Sequence, residues 1–268
     1  MTTVLHFTIL GCGSSAGVPR VAQGWGACDP NNPRNRRRRC SLLVERISAA
    51  GKTVAIVDTS PDLREQLLTA DVGKLDGILY THDHADHSHG IDDVRPLVLH
   101  QRKRVDVYMD KITSAAMHEK FAYCFATPPG SDYPPIVTEH RIEAGLSVTI
   151  LGEGGAVTAM PFRQNHGSGT TLGFRFGALA YSCDVSAIPD ESLSQFEALD
   201  VWILDALRYK PHPSHFSLEQ ALEWIERVKP KRAILTNLHT DLDYETLRRA
   251  LPANVEPAFD GLTIDLPA

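Results

Sequence analysis

Nowhere in its 268 residues does this sequence place two cysteines in a C-x-x-C pair, and its five cysteines (Cys12, Cys28, Cys40, Cys124, Cys183) are odd in number. A disulfide framework is therefore not expected, and a reducing compartment suits the chain better. No apolar run approaches the ~18 residues of a membrane span. The opening MTTVLHFTIL has neither a basic leader nor a long apolar stretch, so no signal peptide is expected. Positive charge is also scarce: 27 Lys+Arg stand against 33 Asp+Glu, a net −6. That balance excludes broad attraction to nucleic acid or to an anionic membrane. The expectation is a cytoplasmic globular protein without membrane contact or stable nucleic-acid binding. A homodimer is compatible with the sequence.

What the chain does have is ordinary core material, 43% hydrophobic residues, in a length that fits one large domain. We read residues 1–268 as a single domain, with no internal repeat and no inter-domain linker. Apolar period-2 segments predict strands over Val4–Leu10, Ser41–Arg46, Thr53–Asp58, Gly77–Tyr80, Val105–Tyr108, Ser147–Leu151, Val157–Phe162, Leu172–Phe176, Leu179–Ser182, Val201–Asp205 and Arg232–Thr236. The clearest helix is Ser217–Lys229. Leu218, Ala221, Leu222, Ile225 and Val228 share one face, Ser217 and Gln220 form a capping box, and Pro230 stops it. Further helices are expected over Pro61–Ala70, Ile91–His100, Ile112–Tyr123, Pro189–Phe196 and Tyr244–Leu251. Ser14–Cys40 and Ala126–Pro135 read as irregular. Strands interleaved with helices imply a layered α/β architecture.

The strongest chemical signal is Thr81-His82-Asp83-His84-Ala85-Asp86-His87, directly after the apolar strand Gly77–Tyr80. Three imidazoles and two carboxylates leave one strand end together. His82 and His84, at i and i+2, face the same side of an extended segment. Asp86 and His87 follow on the turn. A solvated loop with incidental histidines explains one such residue far better than it explains H-x-H-x-D-H.

This motif resembles the signature of metallo-β-lactamase-fold hydrolases, and the rest of the chain supplies that family's parts in order. His166 in Gln164-Asn165-His166-Gly167, Asp184 in Tyr181-Ser182-Cys183-Asp184 and His239 in Thr236-Asn237-Leu238-His239 each follow an expected strand. The resemblance implies an αββα sandwich, two mixed sheets flanked by helices. It also implies two divalent metal ions per chain, one held by His82, His84, His166 and Asp184 and the other by Asp86, His87, Asp184 and His239. Nitrogen and carboxylate donors suit Zn²⁺, Mn²⁺ or Fe²⁺ alike. Two such ions carry +4 and the two ligating aspartates −2, so the centre would suit an anionic substrate in an acidic protein. A water shared by the ions would have its pKa lowered toward ~7.

The N-terminal segment Gly11-Cys12-Gly13-Ser14-Ser15-Ala16-Gly17-Val18-Pro19, with Asn35–Ser41 and His87-Ser88-His89-Gly90-Ile91-Asp92-Asp93, is similar to the branch of cyclic-phosphate phosphodiesterases of bacterial phosphonate breakdown. The tRNA 3′-processing endonucleases are near neighbours of that branch. Gly11-x-Gly13 is not a dinucleotide fingerprint, because Ala16 stands where the third glycine belongs and no helix follows. We read it as a turn that lets the backbone approach the site, with Ser14 and Ser15 as substrate-binding candidates. The branch's cysteine cluster, which holds a structural zinc, has no counterpart in Cys28 and Cys40, twelve residues apart. The Arg34–Arg39 run is expected to pair with the chain's own carboxylates near the mouth of the site.

The loop Leu207–Phe216 lies between a strand and the capped helix. By resemblance, a histidine there protonates the leaving oxygen or grips the phosphate. His215 is the better match and His212 the alternative, with Arg208 a candidate for phosphate oxygens; Asp86 joins His215 as a catalytic candidate. The expected activity is that of a dinuclear metal-dependent phosphodiesterase on a small cyclic or nucleotide-like phosphate ester. The alternatives are an RNA 3′-processing nuclease, a thioester or lactam hydrolase, and an inactive metal-binding regulatory module.

Overall fold

The computed structural model describes residues 2–268. The first half of the chain runs β1 (Val4–Gly11), β2 (Ser41–Ser48), β3 (Gly51–Val57), α1 (Leu63–Thr69), β4 (Gly77–Leu79), α2 (Ala85–Ser88), α3 (Arg95–Gln101), β5 (Val105–Met109), α4 (Lys111–Phe125) and β6 (Val137–Arg141). The second runs β7 (Val148–Ile150), β8 (Val157–His166), β9 (Gly169–Phe176), β10 (Leu179–Ser182), β11 (Val201–Asp205), α5 (Leu218–Val228), β12 (Arg232–Thr236), α6 (Tyr244–Ala250), β13 (Val255–Pro257) and β14 (Thr263–Pro267). They form two seven-stranded sheets, ordered β14-β1-β2-β3-β4-β5-β6 and β13-β12-β11-β10-β9-β8-β7. This is the expected mixed-sheet sandwich.

Strand alternation explains the layers. On β2 and β3, Leu42, Val44, Ala55 and Val57 face inward against Phe174, Phe176, Ile203 and Ile234 of the other sheet. Their neighbours Leu43 and Ile56 face outward beneath Leu63 and Leu67 of α1 and Met117 of α4. On β11, Trp202 and Leu204 turn outward to Ala221 and Ile225 of α5 and Leu247 of α6. A period of two thus supplies three apolar layers from two sheets. The capping box at Ser217 is present, with Gln220 N donating to Ser217 Oγ and Ser217 N to Gln220 Oε1.

Some expected elements differ. Ile91–His100 divides into a 3₁₀ turn, Ile91–Val94, and α3, with Pro96 early in the α-helix where its missing N–H costs nothing. Asp190–Phe196 is a 3₁₀ helix, not an α-helix. The strands β6, β13 and β14 were not expected.

Gly11 and Gly13 have a different role from the one expected. A Cβ on Gly11 would lie 2.0 Å from the Arg39 carbonyl oxygen, and one on Gly13 would lie 2.9 Å from that of Arg37. These glycines let the arginine segment pack against the end of β1. In that segment Arg38 pairs with Asp260 at 3.1 Å and Arg39 with Asp62 at 2.9 Å. Arg37 is buried and donates instead to the carbonyls of His239 and Leu242. Arg34 lies over the rings of Tyr244 and Phe259.

Strands β3 to β6 are parallel, as are β10 to β13. Parallel strands deliver their carboxyl ends to one edge, the usual place for a site in an open α/β sheet. Three of these exits pass through left-handed backbone, at Asp58 (φ 65°), Asp184 (φ 53°) and Asn237 (φ 62°). Asp and Asn are among the few residues that tolerate it.

Candidate metal centre

One donor atom each from His82, His84, His166 and Asp184 converge within 4.8 Å of one another. His82 leaves the end of β4, His166 ends β8 and Asp184 follows β10, so both sheets contribute. Asp184 Oδ2 lies 3.6 Å from His82 Nε2 and 3.6 Å from His166 Nε2. Its other oxygen, Oδ1, lies 3.4 Å from His87 Nε2, which is also 3.4 Å from Asp86 Oδ2. Donors about 3.4 Å apart are the spacing left when ligand bonds of ~2.1 Å surround a tetrahedral ion. Asp184 therefore turns one oxygen to each of two donor sets.

The buried partners of these rings set their chemistry. Asp58, fully buried, accepts from Thr81 N–H on Oδ1 at 2.8 Å and from Thr81 Oγ1 and His87 Nδ1 on Oδ2 at 2.8 and 2.7 Å. Thr81 Oγ1 is also 2.9 Å from His82 Nδ1. The hydroxyl has one proton and gives it to Asp58, so His82 Nδ1 must be the donor in that contact. Both rings thus carry a proton on Nδ1 and turn Nε2 inward. His82 Nε2 and His87 Nε2 are buried without a hydrogen-bond partner. Unpaired buried polar atoms are costly, and a cation beside each would satisfy it. His166 is oriented likewise, its Nδ1 donating to Ser214 O at 2.6 Å.

Charge follows the same plan. Burial holds His82 well below the usual histidine pKa. Burial works the same way on His87, but the Asp184, Asp86 and Asp58 carboxylates outweigh it and raise His87 well above that range. Asp184 is also opposed by burial, yet the imidazoles of His87, His82 and His215 keep it well below the carboxylate range.

His215 stands beside the donors, its ring centroid 4.7 Å from that of His166. Its Nδ1 donates to Asp205 Oδ2 at 2.8 Å, and Asp205, at the end of β11, is fully buried. Burial opposes a charge on His215, but the Asp205 carboxylate prevails and lifts it to about 9. The rings of His212 and His215 are 5.1 Å apart, but His212 Nδ1 accepts from Ser214 within its own loop.

The other expected site residues are less gathered. Ser14 is buried, with its N–H directed at Leu238 O and its Oγ 3.5 Å from Arg20, while Ser15 is exposed. Arg208 folds onto its own loop, donating to the carbonyls of Lys210 and Pro211. His239 is half-buried, with its Nδ1 3.1 Å from Asp241 Oδ1. Asn237 stands where β12 delivers its first residue, buried, with Nδ2 2.8 Å from Asp184 Oδ1. Asp58, Asp205 and Asn237 were not expected at the site. The available signal was an acid or amide placed directly at the end of an apolar strand.

A β-lactamase superfamily domain matches residues 53–237. A crystal structure described as a new diphosphatase from the PhnP family superposes with a TM-score of 0.88 at 36% identity, covering 99% of this chain and 98% of that one. The short form of human tRNase Z superposes with a TM-score of 0.64 at 16% identity over 98% of this chain and 100% of the other, which shows the shared fold. A Porphyromonas gingivalis protein named octanoyltransferase is 32% identical over 95% of this chain. The chain spans about half the length of that curated relative (50%). No helix among the described residues is long and apolar enough to cross a membrane.

Proposed function

This chain belongs to the β-lactamase superfamily and, within it, to the PhnP family, and from that premise we propose that it is a metal-dependent hydrolase of phosphoric diester or diphosphate bonds in small anionic substrates. The observation that carries the reading is His215, locked by Asp205 beside the four-donor group of His82, His84, His166 and Asp184. When bound, divalent ions supply Lewis-acid polarisation and a water of lowered pKa. His82, His84, His166 and Asp184 would hold one ion, with Asp86 and His87 serving a second beside Asp184.

The chain's own residues do the rest. Asp58, Thr81 and the Ser214 carbonyl fix the rings of His82, His87 and His166, so that no reorientation is needed when an ion arrives. Asp205 keeps the proton on His215 Nδ1 and favours the imidazolium, leaving Nε2–H to face the substrate. An imidazolium can give that proton to a departing oxygen and neutralise its charge. His212 stands next to it and would contact the same substrate edge.

Hydrolysis by metal-reconstituted protein tests the reading, with bis(p-nitrophenyl) phosphate, a dinucleoside diphosphate and an octanoyl thioester as parallel substrates. Turnover of either phosphate compound, lost on chelation, is expected. The second reading, acyl-bond cleavage, draws on the relative named octanoyltransferase. Thioester cleavage with both phosphate compounds untouched would replace the first reading with the second.

A further inference from the structure

Six arginines lie between Ser14 and Cys40, and five of them have partners that account for them. Arg34 rests on Tyr244 and Phe259, Arg36 lies over the Trp25 ring at 5.4 Å, and Arg37 donates to the His239 and Leu242 carbonyls. Arg38 and Arg39 pair with Asp260 and Asp62. Arg20 is the exception. Its guanidinium has no carboxylate or aromatic partner among the described residues. Its Nη groups make only long contacts with neutral side chains, 3.4 Å to Gln23 Oε1 and 3.5 Å to Ser14 Oγ, and its Nε is buried without an acceptor. A half-buried cation left with two weak contacts is under-satisfied.

The backbone that carries Arg20 is held on both sides. Val18 and Arg37 exchange backbone hydrogen bonds of 2.9 Å, and Arg20 and Gly24 close a turn with bonds of 2.9 and 2.8 Å. Farther along, Ala27 N donates to Thr240 O at 2.8 Å. Gly26, at φ 61°, approaches the same residue so closely that a Cβ would lie 2.6 Å from the Thr240 oxygen. The turn is thus fastened to the loop that follows β12. Arg20 reaches Ser14, whose N–H is directed at Leu238 O, and Leu238 follows Asn237, the residue that donates to Asp184 Oδ1 at 2.8 Å. Burial and then the Arg20 charge hold His239 below the usual histidine pKa, which sets the guanidinium near that ring too.

We propose that Arg20 is a substrate-binding residue, taking phosphate oxygens of the substrate at the rim of the metal centre through its Nη groups. The proposal rests on the phosphoester reading of the site. A planar guanidinium matches two oxygens of one phosphate, and its long contacts to Ser14 and Gln23 are readily exchanged for charge-assisted ones. Because the turn is fixed before substrate arrives, little ordering cost falls on binding. A neutral acyl group offers no such oxygens, so Arg20 favours phosphate esters over thioesters.

The test is isothermal titration of inorganic phosphate into the metal-reconstituted protein, beside steady-state hydrolysis of bis(p-nitrophenyl) phosphate. Native mass spectrometry counts bound metal and thermal unfolding follows the fold. Hydrogen bonds to a charged partner are worth about 10–100-fold in affinity. Arg20→Gln should therefore weaken phosphate binding and raise KM by about that factor, with a much smaller change in kcat and with its metal retained. Arg20→Lys, which keeps the charge but not the planar fork, should fall between, and it carries the test if the glutamine variant does not fold. Arg36→Gln, which removes the same charge from the same segment, should bind phosphate as the wild type does. Wild-type phosphate affinity and KM in Arg20→Gln, or an equal loss in Arg36→Gln, would overturn the role of Arg20 and leave the phosphoester reading standing. A wild-type chain that cleaves the octanoyl thioester, yet neither binds phosphate nor hydrolyses the phosphate ester, would overturn that reading and this inference with it.

Discussion

Asp58 is the most informative single residue to perturb, because it acts on two rings while touching no substrate. In Asp58→Asn the side chain keeps its shape but retains only one acceptor oxygen. If that oxygen stays on Thr81 N–H, the amide nitrogen faces Thr81 Oγ1 and His87 Nδ1, donor against donor. If the amide turns over, the clash moves to Thr81 N–H. In the first case His87 loses the partner that holds its proton on Nδ1, and the relay through Thr81 to His82 is broken with it. Outer-ligand losses of this kind weaken metal sites about 10–100-fold, or about 1.4–2.7 kcal/mol. Both sets should be affected, since His82 belongs to one and His87 to the other. Competitive metal titration reads the loss directly, and thermal unfolding in excess chelator separates it from a general loss of stability. Thr81→Val should be milder, releasing His82 but leaving the Asp58–His87 hydrogen bond. Metal affinities within twofold of wild type in Asp58→Asn would refute the argument that this carboxylate sets the two tautomers.

Three further outcomes follow from the geometry. His215→Ala should keep its metal and fold but lose roughly 10²–10⁴-fold in turnover, with a smaller loss for nitrophenolate leaving groups; an equal loss for good and poor leaving groups would show that His215 holds the phosphate and does not donate a proton. Asp243 works against burial through hydrogen bonds from Thr246 N, Asn35 Nδ2 and Asp29 N that lower its pKa to about 2. Its contribution is therefore full above the ordinary 3.8 and is lost as pH falls toward 2, so Asp243→Asn should flatten the acid limb of stability between those values, as followed by circular dichroism. Replacing Cys28 and Cys40 by Ser should leave metal content unchanged by mass spectrometry, because Cys28 Sγ lies against Thr240 O and Arg37, and Cys40 Sγ against Gly13 O.

The parts of the fold legible in the sequence are those buried on both faces. Leu179–Ser182, Val201–Asp205 and Arg232–Thr236 are central strands, and their continuous apolar runs coincide with the observed limits. The strands that escaped are β6, β13 and β14, each at a sheet edge. Val137–Arg141 carries Thr, Glu, His and Arg, while Val255–Pro257 and Thr263–Pro267 include prolines, as edges tolerate and central strands do not. At the site, H-x-H-x-D-H was legible because its donors are adjacent in the chain. The β12 exit was not. Donor chemistry favours His239 over Asn237, whereas the strand's geometry turns the first residue past its end toward Asp184. Asp58 and Asp205 were hidden for a related reason: each reads as the polar end of a strand until its histidine partner is seen in space.

The division of the donors between sheets bears on how the chain holds itself together. His82, His84, Asp86 and His87 hang from the sheet built by the first half of the chain, and His166 and Asp184 from the sheet built by the second. Strand β14 already returns to pair with β1, so the backbone itself ties the last strand of the chain to the first sheet. An ion in the donor set would rivet the two sheets a second time, between the segments that hold His82 and Asp184. Such a rivet binds only the docked sandwich, and at a free concentration 100 times its dissociation constant it would add about 2.7 kcal/mol to the cohesion of the halves. Removing it should loosen the seam between the sheets before either sheet itself, so amide exchange in chelator would quicken first at Thr81–Ser88 and Cys183–Val185. The candidate metal centre would then double as the fastener of its own scaffold.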